Sequence, residues 1–282
     1  MPDVSIVIVV HRESLDVLRA CFDAVFAVQG VTCEVFIVDN GANDAYRDEA
    51  SRIGAVYIRN GENKGFAYAV NRGIERSSGR FVLLLNPDTV VPTRAIATMV
   101  AHLDRDRDVG VASCVIRYPD GRLQESIRRF PGVIDQLLVL LKFPHIFPRL
   151  TAINRYMMAD ADAMKTQDVN SIMGAFMFIR HELIERIGKL DERYFIWFEE
   201  VDYCKMAIDA GWKVRHYGDV EIVHHKGHTF GKQSTVRKQR WVRTSLRKYM
   251  KKHHGVWAWM VFWTLTPLFI VLAYAAAAVK RR

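Results

Sequence analysis

FVLLLNPDTVV, residues 81–91, decides how the chain is read. Five apolar residues, Phe81 to Leu85, stop abruptly at Asn86-Pro87-Asp88, and apolar residues resume at Val90. A short unbroken apolar run closed by turn residues predicts a strand buried on both faces. Such strands belong to parallel sheets covered by helices. In open α/β sheets ligands bind just beyond the strands' carboxyl ends, which puts Asp88 where a ligand would sit. Asn-Pro-Asp is also an ordinary turn, so the rest of the chain has to decide between the two.

Upstream, strands and helices alternate. Residues 5–10 form a β-branched run, and Ser14 is placed to cap a helix whose Leu15, Leu18, Phe22, Val25 and Phe26 recur at helical spacing. Residues 34–38 read as a second strand ending at Asp39-Asn40-Gly41, followed by a polar helix at 44–52 and a strand at 55–59. Asn63-Lys64-Gly65 opens a helix with Phe66, Ala69, Val70 and Ile74 on its buried face. Four strands alternating with three helices before residue 90 call for right-handed crossovers. The expected fold is α/β, with a mostly parallel central sheet flanked by helices.

Downstream, residues 93–103 read as a helix, 109–115 as a strand and 118–121 as a turn. Residues 133–143, rich in Leu and Val between Pro131 and Pro144, fit either a core helix or an interfacial element beside an apolar acceptor. Residues 155–168 lack a clear period and are expected as a loop over the site. A strand-like run at 170–179 and a short helix at 181–187 precede LDERYFIWFEEVDYCKMAIDAGWKV (190–214), which crowds Glu199, Glu200 and Asp202 together. Two short strands, 213–216 and 220–223, lead into His224.

The net charge of +9 over 282 residues hides a division. Thirteen Lys and Arg and no Asp or Glu follow Glu221, so subtracting 13 from +9 leaves residues 1–221 at −4. The four cysteines have no short-spaced pair, which argues against a disulfide framework or thiolate zinc site and for a reducing compartment. The N-terminus, MPDVSIVIVV, lacks the basic start and cleavage site of a signal peptide. Residues 256–279 carry no charge, with three tryptophans at one end and Tyr274 towards the other. That length matches a hydrocarbon core of about 30 Å, as a span or as a helical hairpin lying in one leaflet. A buried hairpin of core helices broken at Pro267 is the plainer alternative. Lys and Arg concentrate before the segment, which predicts that the globular part stays on the cytoplasmic face of the cell (inner) membrane. Residues 237–254, with Trp241 and Tyr249, have a composition seen in nucleic-acid binding. The acidic globular part and the adjoining apolar segment favour lipid instead, and no nucleic acid is expected as a partner.

The sheet's carboxyl edge presents Asp39, then Asn63 and Gly65 at a helix start, then Asp88. Backbone N–H groups at a helix start suit a phosphate, and a carboxylate can hold a hard divalent cation bridging two phosphates. Together these describe a nucleoside diphosphate site. Glu199 and Glu200 lie among Phe195, Trp197 and Phe198; desolvation and mutual repulsion would raise their pKa values into the range of a general base.

With these strings in place the chain resembles glycosyltransferase family 2, of GT-A fold, and within it the rhamnosyltransferase-like enzymes of bacterial cell-surface glycans. The resemblance rests on VSIVIVV (4–10), FIVDNG (36–41), NKGFAYAVNRGI (63–74), FVLLLNPDTVV, GAFMFIRHELIERIGKLDERYFIWFEEVDYC (174–204) and VHHKGHT (223–229), in the family's order. It implies an inverting, metal-dependent transfer from a nucleotide-diphosphate sugar, dTDP-rhamnose or a UDP-hexose, to a lipid-linked (polyprenyl diphosphate) or glycan acceptor. Val10, His11, Asp39, Asn63, Gly65, Asn86 and Asp88 would contact the nucleotide. Asp88 and His224 would hold Mn2+ or Mg2+, and Glu200 would be the base, with Glu199 its rival. Asn86 stands where the family's metal motif starts with a carboxylate, Glu200 where aspartate is commoner, and His225 and His228 compete with His224. These substitutions leave room for a non-catalytic nucleotide-sugar-binding scaffold. The implied division is a GT-A domain at 1–232, with a nucleotide half (1–125) and an acceptor and catalytic half (126–232). A basic helix at 233–255 and the membrane segment at 256–279 would follow.

Overall fold

The computed structural model describes residues 1–41, 43–143, 147, 150–225 and 235–279. Strand β4 (Phe81–Leu85) is buried at every position, as an unbroken apolar run requires. It lies beside β1 (Val4–Val10), which pairs in parallel with β4 on one side and β2 (Cys33–Asp39) on the other; β2 pairs in parallel with β3 (Val56–Arg59). Helices α1 (Leu15–Phe26), α2 (Asp44–Arg52) and α3 (Phe66–Ile74) make the crossovers.

Beyond β4 the sheet changes character. β10 (Phe176–Arg180) runs antiparallel to β4 and to β6 (Val109–Arg117), and β6 pairs in parallel with β11 (Lys213–His224). The short β5 (Thr89–Val90) closes that edge against the end of β11, in the order β3-β2-β1-β4-β10-β6-β11-β5, and β8 (Gln167–Asp168) pairs with β11. The sheet is therefore mixed, with parallel pairing dominant. A separate ribbon joins β7 (Ile127–Arg128) to β9 (Ser171–Ile172). Helix α4 (Ala95–Arg105) links β5 to β6, α5 (Val133–Leu140) and α6 (Thr151–Met157) follow β7, and α7 (His181–Ile187) follows β10. Helix α8 (Glu199–Asp209) leads into β11. Apolar cores cover both faces of the sheet.

Three expectations change. The two strands foreseen at 213–216 and 220–223 are one, β11, with a register shift between Tyr217 and Glu221. Residues 155–168 are not a loop over the site: they complete α6, and the following turn packs against β11, where Ala163 O lies 2.7 Å from His216 Nε2 and Gly218 N–H donates to Thr166 Oγ1 at 3.2 Å. Pro144, Pro148 and His228 lie outside the described residues.

The third concerns the carboxyl-terminal segment. Helix α9 (Thr235–Thr264) is broken at Gly255, whose φ of 87° is left-handed, and α10 (Thr266–Val279) follows at a bend of 49°. Pro267 has no N–H for the Trp263 carbonyl, so the helix cannot run on straight. Among the described residues no single helix is long and apolar enough to cross a membrane. At about 1.5 Å per residue, the 14 residues of α10 reach roughly 21 Å. Ala258, Phe262 and Phe269 turn inward onto Leu246, Tyr249, Met250 and Tyr194, together with Leu140 of α5. Val256, Trp257, Met260, Trp263, Leu268, Val271 and Tyr274 face outward, each about half exposed.

Candidate active site

The carboxyl ends of β1, β2 and β4 open into a pocket of about 550 Å3, closed on the far side by residues 195–200 and by Lys238 and Trp241 of α9. Of the residues singled out in the sequence, His11, Asn63, Asn86, Asp88, Glu199, Glu200 and His224 line it. Val10, Asp39 and Gly65 stand behind its wall. Val10 is buried in the core. The Asp39 carboxylate accepts from Gly41 N at 2.7 Å, Asn43 N at 3.0 Å and Tyr57 OH at 2.6 Å, which fixes the loop after β2.

Gly65 joins the two halves of the molecule. Its φ is 105°, and a Cβ there would lie 2.7 Å from Phe195 O. The next residue, Phe66, donates its N–H to that same oxygen at 2.7 Å. Only glycine tolerates both the left-handed conformation and the close approach. Asn40, read in the sequence only as part of a turn, binds the helix start together: its Nδ2 donates to Asn63 Oδ1 and to Gly65 O, both at 3.0 Å.

Asp88 and His224 are 136 residues apart in sequence and meet because β5 pairs with the end of β11, setting His224 opposite Thr89. The turn before β5 is held by Thr89 Oγ1 donating to Asn86 O at 2.6 Å and by His225 N donating to Asp88 O at 2.8 Å. Asp88 and His224 are both buried, with Oδ1 and Nε2 3.2 Å apart. Asn86 Nδ2 is 3.4 Å from the same Nε2. Gln124 settles the ring's tautomer. Its Nε2 donates to the His224 and Arg117 carbonyls at 2.6 and 3.3 Å, so its Oε1 is the atom facing His224 Nδ1 at 3.0 Å. Nδ1 therefore carries a proton, and in the neutral ring Nε2 points a lone pair at a carboxylate. A buried carboxylate and, in the neutral ring, an imidazole lone pair facing it suit a shared divalent cation, with an amide oxygen orienting the imidazole from behind. No cluster of three or more His, Cys, Asp or Glu ligands occurs among the described residues, so a cation here would take its remaining ligands from a substrate or water.

Across the pocket, Trp197 and Phe198 have φ of 62° and 75°. Two successive left-handed non-glycine residues are costly, and they turn the chain sharply into α8 with Glu199 and Glu200 in its first turn. Glu199 is buried and Glu200 half-buried. Oε2 of each has no hydrogen-bond partner among the described residues. Burial pushes Glu200 up to about 7; backbone N–H groups of the helix start oppose this and lose. Burial, and then the Glu200 charge, pushes Glu199 well above the usual carboxylate range.

Sequence reading missed the contribution of α9. Trp241 stacks on Phe195 with centroids 5.1 Å apart, and Ser245 Oγ donates to Ile196 O at 2.7 Å. Lys248 Nζ donates to Arg193 O, and Lys252 Nζ to Asp202 Oδ2 at 2.6 Å. The basic residues that looked like a lipid-facing tail in part clamp the 191–198 loop. Charge and aromatic spacing marked this helix as special without saying what it packs on; Gln124 gave no signal at all.

The chain is 26% identical over 244 residues to N-acetylglucosaminyl-diphospho-decaprenol L-rhamnosyltransferase of Mycobacterium tuberculosis, covering 82% of this chain and 79% of that protein. It is 22% identical over 170 residues to rhamnosyltransferase WbbL of Escherichia coli, covering 60% and 61%. The mannosyltransferase PcManGT of Pyrobaculum calidifontis, solved in complex with GDP-Man and Mn2+, superposes with a TM-score of 0.61 at 17% identity, over 99% of this chain and 75% of that one. GalNAc-T7, solved with UDP, GalNAc and Mn2+, gives a TM-score of 0.60 at 16% identity, over 86% and 47%. The profile described as Glycosyl transferase family 2 matches residues 5–188, well over half of the sequence, and the chain belongs to that family.

Proposed function

We propose that this glycosyltransferase moves a sugar, with inversion, from a nucleoside diphosphate donor to a hydroxyl of a lipid-linked acceptor, on a membrane surface. The observation that carries the reading is the opposition of two units across one pocket: Asp88 with His224 on the sheet side, Glu199 with Glu200 on the helix side. The nucleotide would lie along His11, Asn40, Asn63 and Asn86. Asp88 and His224 would hold a divalent cation, Mn2+ or Mg2+, which when bound offsets the charge of the departing diphosphate.

Glu200 is the base in this reading. Its Oε2 takes the proton of the acceptor hydroxyl as that oxygen attacks the anomeric carbon and the bond to the diphosphate breaks. Burial and the Glu200 charge both push Glu199 upward, which favours its protonated form and so limits a second charge beside Glu200. Trp197 and Trp241 give the acceptor end an apolar wall that excludes water. The relative from Mycobacterium tuberculosis is named for a diphospho-decaprenol acceptor and a rhamnose donor, which supports a polyprenyl diphosphate acceptor and dTDP-rhamnose as the first donor to try. The outward apolar face of α9 and α10 would lie in one leaflet as an interfacial hairpin, on the cytoplasmic side.

The test is donor hydrolysis and binding by detergent-purified protein with Mn2+ or Mg2+. dTDP-rhamnose, UDP-galactofuranose, UDP-glucose, UDP-galactose and UDP-N-acetylglucosamine are compared, with Asp88→Ala and Glu200→Gln as controls. Metal-dependent turnover of one donor, lost in both variants, supports the reading. No response to any nucleotide sugar would sink it.

A further inference from the structure

Helix α9 turns opposite faces to two cavities. At about 100° per residue, Lys238 and Trp241 fall on the side that lines the catalytic pocket. Arg240, Arg243 and Arg247 fall on the other side, where they line a second cavity of about 460 Å3. The facing wall of that cavity comes from α10, with Thr266, Ile270, Ala273 and Tyr274. It is cationic on one side and largely apolar on the other.

The positive charge in it is uncompensated. None of these three arginines pairs with a carboxylate among the described residues, and the chain has no Asp or Glu after Glu221 to supply one. Arg243 is only 8% exposed, yet among the described residues its one hydrogen bond to another side chain is a donation to Gln239 Oε1 at 3.2 Å. A guanidinium has five N–H donors, and burying it without an anion is costly. Burial, and then the neighbouring Arg247, pushes Arg243 below its ordinary value, and burial does the same to Arg247. Tyr274 in the apolar wall is itself about half exposed, so that wall reaches the surface of α10. A ligand that matches both walls has a phosphate head and a hydrocarbon body.

We infer that this cavity binds the phosphate or diphosphate head group of a membrane lipid, with the arginines on the phosphate oxygens and the hydrocarbon along Ile270, Ala273 and Tyr274. The inference deepens the proposed function and rests on its reading of the α9–α10 face as membrane-facing. The head group has two possible sources, a bulk anionic phospholipid or a polyprenyl diphosphate acceptor.

The test is flotation of the full-length protein with phosphatidylcholine vesicles, alone or containing phosphatidylglycerol or a polyprenyl diphosphate. The variants are R243Q, the more exposed R240Q, and K251Q, a charge-matched control on the same helix outside the cavity. Nucleotide-sugar binding by each variant reports that the fold is intact. The expected result is preferential binding to at least one phosphate-bearing vesicle, reduced on the order of tenfold in R243Q, less in R240Q, and kept in K251Q. Preference for phosphatidylglycerol names bulk lipid as the source, and preference for polyprenyl diphosphate alone names the acceptor. Equal losses in R243Q and K251Q, or none in R243Q and R240Q, would overturn the inference in favour of diffuse attraction. Failure of the donor panel with this pattern intact would count against the enzymatic reading and leave the lipid site standing.

Discussion

His253 Nε2 and Asp202 Oδ1 are 2.6 Å apart, which ties α9 to α8, the helix that bears Glu199 and Glu200. Asp202 is fully buried and also takes Lys252 Nζ at 2.6 Å and Tyr194 OH at 3.3 Å. His253→Ala leaves a buried acceptor short of one partner, at a cost of about 1–3 kcal/mol. Urea unfolding should show that loss. kcat should fall with it, because the first turn of α8 loses an anchor, while KM for the donor changes little.

Glu200→Gln removes the proposed base but keeps its shape. kcat should drop by roughly 10²–10⁴, with nucleotide binding retained by calorimetry. In the unaltered enzyme, Glu200 is raised from 4.5 to about 7, so the competent carboxylate forms as pH rises and kcat/KM should climb through an apparent value near 7. Stability moves the other way. The folded state holds this proton more tightly than the unfolded chain does, so Glu200 contributes a loss of stability as pH rises from the unfolded value to about 7. A flat kcat/KM between pH 5.5 and 8.5 (roughly the span of that titration) would contradict the assignment.

Gln124 touches the imidazole from behind. Gln124→Ala should weaken Mn2+ activation by about 10–100-fold in apparent affinity, with much of the rate recovered at saturating metal. A metal titration of donor hydrolysis reads this directly. Equal loss at all metal concentrations would mean that Gln124 supports the fold alone.

Gly65→Ala places a methyl 2.7 Å from Phe195 O in a left-handed conformation. The cost should exceed about 1 kcal/mol, and the displaced Phe66 N–H to Phe195 O bond should appear as a raised donor KM. A thermal melt with donor titration separates the two effects.

The fold was legible where a pattern is local. β4, α2 and α7 could be read to within a residue because an apolar run, a cap or a glycine marks each end. Long-range pairing was not legible: nothing local announces that β10 inserts antiparallel between β4 and β6, or that β5 meets the end of β11. The site divides the same way. Asp88, Glu199 and Glu200 stand out by residue type next to a turn or among aromatics, whereas Gln124, Lys238 and Trp241 reach the site through packing of distant segments. Residues 256–279 left a span, a leaflet hairpin and a buried hairpin open, because composition counts apolar residues and does not show that the helix breaks at Gly255.

Trp241 and Lys238 finish a reaction chamber whose other walls come from the first 224 residues, and they do so from the same helix whose far end presents the outward tryptophans. In the proposed function, chemistry and membrane address would thus share one piece of chain. On that reading, a molecule that lets go of the membrane by swinging this helix away would also open its own pocket to water, so a stray copy would be an idle one.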